Sequence, residues 1–119
     1  MRQLVTLNAV KRIIHADLAG TYSLETLARA VGIHEQKLMK LFRRHEQSTV
    51  FAYIRQARMQ YARTLLEQGS TPVENIAALV GFSSAANFAT AFKAHTGLTP
   101  RQYRRQHQET TQSEHAPTG

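Results

Sequence analysis

Four cations crowd one short stretch, "HEQKLMKLFRRHE" at residues 34–46: Lys37, Lys40, Arg43 and Arg44. Leu38, Leu41 and Phe42 are interleaved with them at three- and four-residue steps. On a helix that spacing gathers the apolar side chains on one face and leaves the cations for the others. Clustered Lys and Arg suit the binding of phosphate oxygens, so Lys37, Arg43 and Arg44 are candidates to hold phosphates. A second stretch, "SSAANFATAFKAH" at residues 83–95, keeps the apolar step in Phe88 and Phe92 but sets alanines around one cation, Lys93. Covalent and acid–base chemistry finds little to work with. Cysteine is absent, which excludes disulfides, thiolate nucleophiles and cysteine-ligated zinc and fits a reducing cytoplasm. The six histidines form no cluster with ligand spacing: His34, His45 and His95 stand singly, and His107 and His115 lie near the C-terminus. No metal and no cofactor is expected. With no Ser/His/Asp set, phosphate loop or paired carboxylates, an enzyme is not expected either.

The charge agrees with the cationic stretch. The 119 residues carry 15 Lys and Arg against 8 Asp and Glu, a net charge of +7. Two of the acids, Glu109 and Glu114, lie in the last stretch, so residues 1–106 hold 15 basic and 6 acidic side chains, or +9. A small domain this basic points to a polyanionic partner. The N-terminal stretch is broken by Asn8, Lys11, Arg12 and Asp17 and is no signal peptide. No run approaches the ~18 apolar residues of a membrane span.

The elements that must position these side chains all read as helices. Leu7, Val10, Ile14 and Leu18 give one stripe, with Gly20 expected to end it. Ser23 is a good N-cap for a short second helix that Gly32 stops, with Tyr22 and Leu27 placed to pack together. A long helix over residues 50–67 carries Val50 or Phe51, Ile54, Ala57 or Arg58, Tyr61 or Ala62, and Leu65 on its buried stripe, and Gly69 closes it. Thr71 and Glu74 are spaced for a capping box, with Pro72 at the first helical position. Ser83 or Ser84 caps the next helix, which ends near Gly97, and "TPRQYRRQ" makes a last short one. No stretch shows sustained alternation, so no strand is expected. Residues 107–119 are polar and are expected to be a disordered tail.

The chain also repeats itself. "LARAVGI" at 27–33 returns as "IAALVGF" at 76–82, an offset of 49. Beyond the glycine the match continues at an offset of 50, pairing Leu38, Phe42, Arg43 and His45 with Phe88, Phe92, Lys93 and His95. Each copy is a short helix, a glycine turn and a second helix, which is the helix-turn-helix pattern. Ala28 and Ala77 are small where helices must cross, and Gly32 and Gly81 supply the positive φ the turn needs. The predicted architecture is all-α, with about seven helices. The first helix-turn-helix spans about 24–45 and the second about 72–95, joined by the long helix within a domain of residues 1–106.

The residues from Tyr22 to Arg105 resemble the DNA-binding domain of the AraC/XylS family of bacterial transcription regulators. They include "SLETLARAVGI", "LMKLFRRH", the Tyr53–Leu66 pattern Y-I-R-x2-R-x3-A-R-x-L-L, and "NIAALVGFSSAANFATAFKAHTGLTPRQYR". "TVFAYIRQARM" and "ANFATAF" are similar to the branch that regulates siderophore uptake. The resemblance implies a regulator of transcription in the bacterial cytoplasm, associated with the nucleoid, usually an activator that contacts RNA polymerase. It implies double-stranded DNA as partner, bound by a monomer with one recognition helix per major-groove segment. Gln36, Met39 and Lys40 match positions that reach base edges; Gln can pair with adenine and Lys with guanine acceptors. In the second copy the outward positions are Ala86, Asn87 and Thr90 for bases, with Ser83, Ser84 and Lys93 for phosphates. Arg58 matches a structural residue expected to bond across the subdomain junction.

The chain departs from the family's commonest form at Val50, where Pro is usual, and at Gln47, where the second copy keeps Gly97. Ala86 and Thr90 stand where larger polar residues are frequent. The alanines of the second helix fit contact with thymine methyls or mere helix propensity. Glu35 fits a cytosine amine or the helix N-terminus. A non-specific or architectural nucleic-acid-binding protein, and an interaction module derived from this fold, remain alternatives. The effector domain most family members carry is not in these residues, which fits a small stand-alone regulator or an excised C-terminal domain.

Overall fold

The computed structural model describes the backbone of residues 2–115 and the side chains of residues 2–108. Seven helices and no strand occur among the described residues: α1 Arg2–Ala16, α2 Leu24–Ala30, α3 Glu35–Glu46, α4 Val50–Gln68, α5 Val73–Leu79, α6 Ala85–Thr96 and α7 Pro100–His115. The chain divides into two compact units, one ending at Arg58 and the other beginning at Met59.

In the first unit α1 contributes Leu7, Val10 and Ile14, α2 contributes Leu27 and Ala28, and α3 contributes Leu38 and Phe42; Val50 and Ile54 of α4 complete the core. α1 ends at Ala16, before Gly20 rather than at it. The Asp17 amide still bonds the Ile14 carbonyl, and the Tyr22 hydroxyl donates to the Asp17 carbonyl, so the chain turns back early. At α2 the Ser23 hydroxyl accepts from the Thr26 amide at 3.0 Å and the Thr26 hydroxyl accepts from the Ser23 amide at 3.2 Å. This is a reciprocal capping box with Thr in the third helical position.

In the second unit Met59, Ala62, Leu65 and Leu66 of α4 pack with Ile76 and Ala77 of α5, Val80, and Phe88 and Phe92 of α6. The stripe expected along α4 is buried at Val50, Ile54, Ala62 and Leu65, and Met59 and Leu66 are buried beside it. Ile54 and Met59 are five apart, where one helical face needs three or four, because the helix contributes to both cores. Of the expected alternatives Tyr61 or Ala62, Ala62 is buried and Tyr61 exposed.

Two further expectations fail. α5 begins after Pro72, which is its N-cap, and no side chain caps it. Glu74 lies 3.6 Å from Arg101, and Arg104 holds the Thr71 carbonyl at 2.6 Å, so the Thr71/Glu74 box gives way to ties with α7. Nor is the C-terminal stretch disordered from residue 107. α7 continues through residues 107–115, and residues 116–119 lie outside the described residues. No Gly or Pro interrupts the chain between Pro100 and Pro117, and His107 is anchored on Tyr103, ring to ring at 4.3 Å.

Candidate nucleic-acid interface

The turn that aims each second helix is built the same way twice. The Gly32 amide donates to Arg29 O at 3.1 Å and the Ile33 amide to Ala28 O at 3.0 Å. In the second unit Gly81 donates to Ala78 O at 3.1 Å and Phe82 to Ala77 O at 2.9 Å. Both are Schellman closures, which need a left-handed residue, and Gly32 and Gly81 take φ of 72° and 86°. The apolar residue after each glycine packs on its unit's core, so the direction in which the next helix leaves is fixed.

α3 then buries Leu38, Leu41 and Phe42 and exposes Gln36, Lys37, Met39, Lys40, Arg43 and Arg44. Among the described residues no ion pair engages Lys37, Lys40, Arg43 or Arg44. The acid at the end of the helix, Glu46, is held by Lys11 of α1 at 2.6 Å and does not cancel them. Lys40 lies four residues after Gln36, and Arg43 and Arg44 lie three and four after Lys40, so they line one face, with Met39 and Lys37 on its flanks. Glu35 sits in the first turn, where its charge favours the helix dipole. α3 ends on Gln47, at φ 52° and ψ 32°, the left-handed conformation that the equivalent Gly97 adopts without a side chain.

α6 has the same length and buries Phe88 and Phe92 where α3 buries Leu38 and Phe42, with a different outside. Ser84 caps it, accepting from the Asn87 amide at 3.0 Å. Asn87 Nδ2 donates to the Ser83 hydroxyl at 2.9 Å, and the Thr90 hydroxyl donates to the Ala86 carbonyl at 3.0 Å. Asn87 and Thr90 are thus bonded locally, to Ser83 just before the helix and to Ala86 within it. Ala86 and Lys93 are exposed; Ala85 and Ala89 are half-buried.

Arg58 does not bond across the two units. Its Nε donates to Leu18 O at 2.7 Å and its Nη2 to Gly20 O at 2.8 Å, both in the α1–α2 connection of its own unit. Those carbonyls leave α1 without helical partners, and a guanidinium mid-α4 is long enough to reach them. Arg104 does the same work in the second unit, donating to Leu66 O, Leu65 O and Thr71 O at 3.2, 3.4 and 2.6 Å. Sequence reasoning missed it. The repeat gives no signal for it: Arg104 directly follows Tyr103, whereas Arg58 lies five residues beyond Tyr53, so the offset of 50 does not pair them. Beside it the Tyr103 ring meets Phe92 edge-on at 5.3 Å, and its hydroxyl donates to Glu67 at 2.8 Å. Burial, with the Glu67 carboxylate adding, pushes the Tyr103 hydroxyl up to about 12.

No three His, Asp or Glu residues come together as a metal site would need among the described residues, and no described helix is long and apolar enough to cross a membrane.

Residues 27–106 match a family described as a helix-turn-helix domain. The chain is 33% identical over 101 residues to the HTH-type transcriptional activator RhaR of Cronobacter sakazakii, covering 85% of this chain and 36% of that one. It spans 24–36% of the length of the curated relatives it matches. An AraC-type DNA-binding regulator of Chromobacterium violaceum superposes with a TM-score of 0.80 at 28% identity, over 87% of this chain and 93% of that one. The DNA-binding domain of AdpA, solved in complex with a target DNA, shares the fold with a TM-score of 0.75 at 24% identity, over 95% and 97% of the chains.

Proposed function

This chain belongs to the AraC-type helix-turn-helix family of DNA-binding transcription regulators, and from that premise we propose that it is a sequence-specific activator. α3 and α6 enter successive major-groove segments of double-stranded DNA, and the chain acts as a monomer in the bacterial cytoplasm, at the nucleoid, where it contacts RNA polymerase. One observation carries the reading: the exposed face of α3, where Gln36, Lys40, Arg43 and Arg44 stand together and no ion pair among the described residues engages the three cations. Uncompensated cations beside a groove-reading Gln fit phosphates and base edges at once. Lys37, Arg43 and Arg44 take phosphates and set the register. Gln36, Met39 and Lys40 read bases. In the second copy Ser83, Ser84 and Lys93 take phosphates, and Ala86, Asn87 and Thr90 face the bases. Two such motifs on one chain support binding as a monomer across two groove segments.

The test is titration of a labelled promoter fragment against competitor DNA at stated salt. A footprint over two adjacent major-groove segments, resistant to competitor, is expected. Equal binding to every sequence would support an architectural protein instead, and no binding at all an interaction module.

A further inference from the structure

We infer that α6 recognises thymine through its 5-methyl group, with Ala86 and Thr90 as the specificity-determining side chains. The inference rests on the proposed entry of α6 into the major groove. Phe88 and Phe92 are fully buried and fix which side of α6 faces inward. Ala86 and Thr90, four residues apart, share the opposite side, and both are exposed. Donors are scarce there. The Thr90 hydroxyl proton is spent on the Ala86 carbonyl at 3.0 Å, and Asn87 Nδ2 gives one of its two protons to Ser83 at 2.9 Å. Lys93, the cation of this helix, stands one turn beyond Ala89 and near the C-terminal end.

Guanine shows the major groove two acceptors and needs donors to be told apart; adenine needs a donor and an acceptor together. Thymine alone adds an apolar group to the groove floor. Methyl groups at 86 and 90 meet that group and little else. The absence of longer side chains at these positions lets the helix backbone come close enough for the contact. α3 is built for the other bases, with Gln36 and Lys40 exposed at equivalent depth along the helix.

The experiment starts from a fragment selected from random DNA, so that specific binding is established first. Each thymidine is then replaced by deoxyuridine, which removes the methyl group and nothing else. One or two positions in one half of the site should weaken binding about fourfold each, the effect of leaving one methyl group unburied. At those positions Thr90→Ser or Ala86→Gly should shrink the deoxyuridine effect, since the methyl has lost its neighbour; Thr90→Ser keeps the hydroxyl bond to Ala86. Replacing the T·A pair by C·G should weaken binding, and 5-methylcytosine should recover part of the loss. Deoxyuridine bound as tightly as thymidine throughout a specifically bound fragment overturns the inference and leaves the proposed function standing. Failure to select any preferred fragment sinks the proposed function, and the inference with it.

Discussion

α3 and α6 keep the same apolar spacing on the inside and differ on the outside. Each has 12 residues and follows a Schellman turn, three residues after Gly32 for α3 and four after Gly81 for α6, and each buries a Phe at the matching position, Phe42 or Phe92. Outside, α3 exposes Lys37, Lys40, Arg43 and Arg44, whereas α6 offers Lys93 among alanines and folds Asn87 and Thr90 onto itself. The difference teaches where a duplicated motif is constrained. Core volume and turn geometry hold the inner face and the glycine, because a cavity there costs several kcal/mol. The outer face contributes little to folding and is free to acquire a different reading chemistry.

The largest expected effects lie in what the halves share. Arg58→Ala leaves Leu18 O and Gly20 O without their charged donor, and Arg104→Ala does the same to Leu65, Leu66 and Thr71. Each should cost about 2–4 kcal/mol and lower the melting temperature by roughly 10 °C. Thermal melts of the two variants check it, and a tolerated loss of either would break the parallel between the units.

Next come the residues that make the halves differ. Lys40→Ala should weaken specific binding by ~1–3 kcal/mol and relax preference at one base pair. Arg44→Ala should weaken all sequences alike and make the salt slope shallower by about one unit. If Lys40→Ala showed only the salt effect, Lys40 would be a phosphate contact.

The C-caps sharpen the comparison further. Gly97 takes φ 86° with open space where a Cβ would go, so Gly97→Ala tests backbone strain alone and should cost ~1–2 kcal/mol. Gln47 already bears that strain at φ 52°, offset in part by its side-chain bond to Arg44 O at 3.2 Å. Gln47→Gly should therefore stabilise, by at most about 1 kcal/mol. Urea unfolding of both variants decides it, and a loss of stability in Gln47→Gly would contradict the account.

The smallest effect concerns the tyrosines. Tyr53 in the first unit and Tyr103 in the second are both raised by burial, but Lys11 pulls Tyr53 down while Glu67 pushes Tyr103 further up, to about 12. Folded Tyr103 keeps a proton that the unfolded chain has released, so stability should hold up to about pH 10 and fall toward pH 12. Ultraviolet titration of Tyr53→Phe and Tyr103→Phe separates the two. Tyr103 should ionise last; Tyr53 doing so would reverse the expected order.

Much of this fold was legible because it is local and written twice. Glycine turns, the Ser23 and Ser84 caps and the inner stripe of α3 and α6 depend on spacing within a few residues. What spacing could not reveal depended on partners far along the chain. Arg58 and Arg104 reach carbonyls 33 to 40 residues away. Glu74 abandons a local cap for Arg101. Met59 is buried because α4 contributes to a second core, and a single helical period hides such a shift. The helix through residues 107–115 is masked by its polar composition and shows in the sequence only as a run without Gly or Pro. At the interface the α3 cations were plain in the sequence. The internal bonding of Asn87 and Thr90 was not, since both residue types serve equally well as readers or as back-bonded surface.

A base-by-base substitution scan of one bound site tests the asymmetry most directly. Single changes should cost ~1–3 kcal/mol in the half contacted by residues 34–44 and clearly less in the half contacted by residues 83–93. Equal costs in the two halves, or larger ones in the second, would contradict it.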